Sequence, residues 1–97
     1  MTTITIALLH PGDMGAAVGA CLAGNGHRVT WASTGRSEST RKRAAAAKLH
    51  DRETMAQCVK GADLVLSVCP PHGALGLARE VAGLGFNGLY VDANAIA

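Results

Sequence analysis

Short runs of β-branched and aliphatic residues alternate along this chain with stretches in which small and apolar residues return every three or four positions. The first run, residues 3–9 (TITIALL), is almost wholly non-charged and apolar and stops before a Pro-Gly pair. A strand covered on both faces reads this way, because neither face has to meet water. A tight loop is predicted over 10–13. Residues 14–24 then put Met14, Val18, Cys21 and Leu22 at helical spacing, and Asn25-Gly26 ends that helix in a left-handed cap.

The alternation continues. Residues 28–32 read as a second strand, broken by Ser33-Thr34-Gly35. Ser37 or Ser39 can cap the next helix, which the alanine run carries to about residue 48. Leu49-His50 predicts a very short third strand, and 53–60 a short helix closed by Gly61. Residues 62–69 (ADLVLSVC) are a strong strand signal ended by Pro70-Pro71. A helix over 73–82, weakened by Gly76, a turn over 83–88 and a last strand over 89–93 complete the chain.

Strands separated by helices of this length imply parallel strands joined by crossovers on both faces of one sheet. The expected fold is α/β: a doubly wound parallel sheet in three layers, α/β/α, with spatial order 3-2-1-4-5, stopping after the fifth strand. The whole chain, 1–97, reads as one domain.

Composition narrows this picture. Hydrophobic residues make up 48% of the 97 residues and aromatics only 3%, so the core must be aliphatic and the chain is not a disordered one. The net charge of +2 does not call for nucleic acid. No apolar stretch is long enough to cross a bilayer, and the N-terminus lacks the pattern of a secretory signal, so no membrane partner is expected. Cys21, Cys58 and Cys69 form no close pair; buried free thiols are the expectation, which fits a cytoplasmic protein. No metal-ligand spacing is present.

The chemistry begins at the first turn. A dinucleotide-binding turn has the pattern G-x-G-x-x-G directly after a strand and opens a helix. The matching stretch here is His10-Pro11-Gly12-Asp13-Met14-Gly15, with the second and third glycines present and His10 in place of the first. Gly12 allows backbone N–H groups to approach a pyrophosphate, Gly15 allows the helix to lie close to the sheet, and the helix N-terminus offers unsatisfied donors. The plainer alternative is an ordinary βα turn with glycines for packing alone. The strand-helix-strand setting favours the dinucleotide.

A second signal follows the second strand. NAD sites usually place an acid about 20 residues beyond the glycine turn, on the ribose 2′-hydroxyl. Ala32, Ser33, Thr34 and Gly35 supply none, and Arg36-Ser37 come next. A guanidinium can grip a 2′-phosphate with two parallel hydrogen bonds, and a hydroxyl can add another. The reading is therefore NADP, with Ser33, Thr34, Arg36 and Ser37 around its phosphate. Arg41 can reach the same side; Lys42 and Arg43 read as a solvated face. Since ligands in open α/β sheets lie outside the carboxyl ends of the strands, Cys69, Pro70, Pro71 and Asn94 should border the cofactor as well. Cys69 has no basic partner that would make it a nucleophile. His72 reads as a solvent-facing loop residue and Asp92 as a strand-end cap.

These stretches together resemble the N-terminal domain of the β-hydroxyacid dehydrogenases, the group of 6-phosphogluconate and 3-hydroxyisobutyrate dehydrogenases. The likeness runs the length of the chain. Met14-Gly15 resembles that family's Met-Gly after the turn. Gly35-Arg36-Ser37 resembles its Asn-Arg-Thr or Asn-Arg-Ser element, whose Arg recognises the NADP phosphate. Residues 62–66 resemble its Ala-Asp-hydrophobic strand, and Val91-Asp92-Ala93-Asn94 the strand that ends near the nicotinamide. The turn beginning His10-Pro11 resembles a side branch of phosphogluconate dehydrogenase-like proteins.

The resemblance implies a Rossmann-type domain and hydride transfer between NADP and a small hydroxyacid. It also implies that the proton-shuttling lysine lies on a later helix, beyond a sixth strand, so no catalytic residue is expected within 1–97. Lys48 and Lys60 are in the wrong places to replace it. The chain alone is then expected to bind the dinucleotide weakly and to catalyse nothing, the substrate requiring a C-terminal helical domain. A stand-alone nucleotide-binding or interaction module and the cofactor domain of an imine reductase are the alternatives. The last strand, carrying Leu89 and Val91, would leave an open edge suited to pairing with a second copy.

Overall fold

The computed structural model describes residues 3–9, 11–68 and 71–92. The elements run β1 (Thr5–Leu9), α1 (Asp13–Gly24), β2 (Arg28–Trp31), α2 (Glu38–Ala46), β3 (His50–Asp51), α3 (Met55–Lys60), β4 (Leu64–Ser67), α4 (Pro71–Gly83) and β5 (Leu89–Asp92). The five strands are all parallel, in the order β3-β2-β1-β4-β5. This is the doubly wound, Rossmann-like sheet expected from the alternation of strands and helices.

Alternation along the central strands divides the core into two layers. Ile6 and Leu8 of β1, Val29 and Trp31 of β2 and Leu66 of β4 pack with Ala16 of α1 and Ala44 of α2 on one face. Ala7, Leu9 and Val65 face the other way, onto Cys58 and Val59 of α3 and Leu77 and Val81 of α4. Because β1 is buried on both faces, its side chains leave water wherever they point, which is why it reads as a continuous apolar run.

Contact between α1 and the sheet is closer than large side chains would allow. The helix lays down Gly15, Ala16 and Gly19, all buried. A Cβ built on Gly19 would stand 2.8 Å from Leu8 Cδ2 and 2.9 Å from Leu49 Cδ2. Cys21, expected on the packed side, is exposed, whereas Cys58 is buried. The correction has a simple cause: the inward stripe is made of the smallest residues, so hydrophobicity placed the packed face too far round the helix.

Element ends differ from the sequence reading by one or two residues, each for a local reason. Gly26 rather than Asn25 adopts the left-handed backbone after α1 (φ 89°). Past α2, Lys48 takes φ 63°, with Lys48 N–H bonded to Ala45 O at 3.1 Å and Leu49 N–H to Ala44 O at 3.0 Å. That is a Schellman closure with lysine where glycine is usual. It turns Leu49 into the core and moves β3 on to His50–Asp51. At the start of β4, Asp63 brackets β1: its Oδ2 accepts from Thr5 N–H at 2.8 Å and its own N–H donates to Thr5 O at 2.9 Å. α4 begins at Pro71, a first helical position that needs no N–H.

β5 is the edge strand beyond β4, with Leu89 60% exposed and Leu84 in the preceding turn 43% exposed. Val91 is half-buried against the α1–α2 layer. Among the described residues no helix is long and apolar enough to cross a membrane.

Candidate functional site

In a parallel sheet every strand ends on the same edge, and the helices that follow start there with their N–H groups pointing outward. That edge holds the glycine turn, the β2–α2 loop and the starts of α3 and α4. Lys48 and Lys60 follow the last turn of α2 and end α3, at the opposite edge.

At the glycine turn, Gly12 is the N-cap of α1, with extended backbone and no side-chain cap. Ala16 N–H closes the first helical bond onto Gly12 O at 2.8 Å. The N–H groups before it belong to the first turn, which has no carbonyl above it. Gly12 is exposed, and a Cβ built there would meet nothing within 4 Å. No side chain of residue 12 therefore stands between the turn and a ligand. A pyrophosphate fits this donor set: backbone N–H groups, a positive helix end and no competing cap. Pro11 is buried beneath the turn, and Gly15 is buried in the α1 contact.

Between the ends of β1 and β2 lies a cleft of about 300 Å³, lined by Leu9, Ala32, Thr34, Arg36, Thr54, Met55 and Glu80. Leu9 and Ala32 form an apolar floor, Thr34 and Arg36 come from the β2–α2 loop, Thr54 and Met55 from the start of α3, and Glu80 from α4. A guanidinium, two hydroxyls and an apolar floor suit a phosphorylated ribose with its base, and the Glu80 carboxylate is the one acidic group among these lining residues.

The β2–α2 loop is built as a turn. Arg36 N–H donates to Ser33 O at 2.9 Å, and Gly35 has φ 79°, the sign a type II turn requires at its third residue. Ser33 is buried under this turn, and its carbonyl also accepts from Arg41 Nη2 at 3.1 Å. Ser37 caps α2, its Oγ accepting from Thr40 N–H at 3.2 Å. So of the four loop residues singled out from sequence, Thr34 and Arg36 line the cleft, Ser33 lies below it and Ser37 opens the next helix. Arg41 braces the loop from behind. Lys42 is exposed and Arg43 half-buried.

His10, Cys69, Pro70 and Asn94 lie outside the described residues. Asp13 and Met14 open α1 and Pro71 opens α4. Thr54, Met55 and Glu80 were not foreseen at the site. Thr54 carried a readable signal: Thr54 with Gln57 three residues on is a capping-box pattern, and Thr54 Oγ1 accepts from Gln57 N–H at 3.2 Å. Glu80 carried none, since only the packing of α4 brings it to the cleft. Among the described residues no three of His, Cys, Asp and Glu converge as a metal site. The buried Cys58 thiol is pushed up by burial, against a smaller lowering from its hydrogen bond with Thr30, and lies below the sheet rather than in the cleft.

Comparison with known proteins agrees with this fold. A family model described as NADP oxidoreductase, coenzyme F420-dependent, matches residues 5–95. A solved protein of unknown function, reported as structurally similar to 3-hydroxyacid dehydrogenases, is 27% identical with a TM-score of 0.84, over 94% of this chain and 34% of its own. The 3-hydroxyisobutyrate dehydrogenase of Mycobacterium tuberculosis, solved with L-serine, is 25% identical with a TM-score of 0.81, over 99% of this chain and 33% of its own. A protein described as an F420-dependent NADP-reductase from Arthrobacter shares the fold, at 23% identity and a TM-score of 0.75, over 94% of this chain and 45% of its own. The chain thus spans about one third of the length of the first two. A search of curated proteins finds no match.

Proposed function

The chain belongs to the family of NADP oxidoreductases described as coenzyme F420-dependent, and from that membership we propose that it is the NADP-selective cofactor domain of a hydride-transferring enzyme. It is a nicotinamide-dinucleotide-binding oxidoreductase domain with the fold of the hydroxyacid dehydrogenases. The choice of NADP rests on one observation: Arg36 lines the cleft at the end of β2, where the loop 32–35 offers no carboxylate to a ribose 2′-hydroxyl.

In this reading the N–H groups at the start of α1, from Gly12, Asp13, Met14 and Gly15, hold the pyrophosphate, with His10 and Pro11 shaping the turn. Arg36 and Thr34 hold the 2′-phosphate, supported by Ser33 and Ser37. Cys69, Pro70, Pro71 and Asn94 border the remainder of the dinucleotide. Bound NADP supplies or accepts the hydride; the residues of this chain orient it and neutralise its phosphates. No catalytic acid or base is assigned within 1–97; the role proposed for these residues is to hold and orient the dinucleotide. A small hydroxyacid is the substrate suggested by the neighbours of 25–27% identity. The matched family description favours a second reading, in which coenzyme F420 is the hydride partner.

Calorimetric titration of NADP and NAD into the wild type and Arg36→Ala tests the cofactor assignment. A charge-assisted bond from Arg36 to phosphate contributes roughly 1.5–3 kcal/mol, about a tenfold to hundredfold effect on affinity. The substitution should weaken NADP by that order and leave NAD almost unchanged. A wild type that prefers NAD, or an equal loss for both cofactors, would remove Arg36 from this role.

A further inference from the structure

The loop that carries Thr34 and Arg36 is also held by the segment 51–54, which enters the cleft only at Thr54. Arg52 N–H bonds Trp31 O at 2.8 Å, extending the pairing of β3 with β2 by one residue. The chain then bends sharply. Glu53 takes φ 68°, and Thr54 N–H closes onto Arg52 O at 2.8 Å. This is a γ-turn of the rare positive-φ kind, which a residue with a side chain enters only at a cost. Two bonds offset that cost. Asp51 Oδ1 accepts from Glu53 N–H at 2.7 Å, and Glu53 O accepts from Thr34 N–H at 2.8 Å.

We infer that Asp51 is a positioning residue for cofactor selection: it holds the Glu53 γ-turn, and through the Glu53 carbonyl it fixes the Thr34–Arg36 turn against the cleft. The inference rests on the reading of that loop as the 2′-phosphate site. The geometry makes the bend useful. A relaxed backbone at Glu53 would swing its carbonyl away from Thr34, removing one of the bonds that hold the turn, the Arg41 guanidinium on Ser33 O being another. Pre-organising a phosphate-binding loop lowers the ordering cost at the moment of binding. A 2′-phosphate gains most from that order, because it is the group assigned to the Arg36 guanidinium, whereas a dinucleotide without it gains less from the loop. Asp51 therefore acts on selectivity more than on dinucleotide binding as such. The Glu53 side chain has no part in this, since only its backbone makes both bonds.

The test compares the wild type, Asp51→Ala, Asp51→Asn and Glu53→Gly, with two readouts: hydrogen exchange of the Thr34 amide and the ratio of NADP to NAD affinities by calorimetry. Asp51→Ala should speed Thr34 exchange and lower the ratio about three- to tenfold, the worth of one net hydrogen bond. Asp51→Asn keeps the accepting oxygen and should restore both. Glu53→Gly keeps the carbonyl and relieves the left-handed backbone, and should preserve both. Unchanged Thr34 exchange in Asp51→Ala overturns the inference alone, as does faster exchange with an unchanged ratio in a protein that prefers NADP. A wild type that does not prefer NADP overturns the cofactor reading and this inference with it.

Discussion

The same substitution should have opposite signs in two helices of this domain. Gly19 of α1 and Gly76 of α4 both sit within helices, where glycine costs roughly 0.5–1 kcal/mol relative to alanine through backbone entropy. Gly76 is exposed, and a Cβ there meets nothing within 4 Å. Gly76→Ala should therefore stabilise by about that 0.5–1 kcal/mol. At Gly19 the added methyl would stand 2.8 Å from Leu8 Cδ2 and 2.9 Å from Leu49 Cδ2. Leu8 is fully buried in the middle of the sheet and has nowhere to go, while Leu49 lies at the margin of the core and can yield in part. Overpacking of this kind costs about 1–3 kcal/mol, which exceeds the propensity gain. Gly19→Ala should end up destabilised by roughly 0.5–2 kcal/mol, a fall in Tm of several degrees at about 4–8 °C per kcal/mol for a domain of this size. Urea melts of both variants with an unchanged m-value make the comparison. If Gly19→Ala proves as stabilised as Gly76→Ala, α1 does not approach β1 as closely as described, and the account of its packed face fails.

The cysteines should differ in reactivity: iodoacetamide at neutral pH should modify Cys21 and spare Cys58 in the folded protein, as peptide mass mapping would show. Because burial raises the Cys58 pKa above its unfolded value, the stability it contributes is complete below about pH 8.5 and is lost as pH rises toward the folded value. Cys58→Ala should flatten that alkaline decline, and an unaltered slope would contradict the assignment. At the β5 edge, Leu89 and Leu84 should drive pairing with a second copy at high concentration, visible in sedimentation and suppressed by Leu89→Lys; a monomer at all concentrations would count against this.

Much of the architecture follows from local pattern. Runs such as 3–9 and 64–67 are apolar on both faces, and that composition is stable only in the middle of a covered sheet. With helices between them, the order β3-β2-β1-β4-β5 is the ordinary solution. The glycine turn and the missing acid after β2 are likewise properties of adjacent residues, and the turn and Arg36 lie at the edge where parallel strands end. What pattern could not supply is contact between distant residues and contact made by residues without side chains. Gly19 sets the closeness of α1 to the sheet yet carries no hydrophobic signal, so the periodicity of larger residues pointed to Cys21 instead. Lys48 takes a left-handed backbone that its type disfavours, because burying Leu49 requires it. Glu80 and Arg36 meet at one cleft, and Asp51 reaches Thr34 through Glu53, only because parallel pairing brings the ends of separate strands side by side. Hydrophobic spacing records which residues leave water; tertiary packing decides which of them then meet.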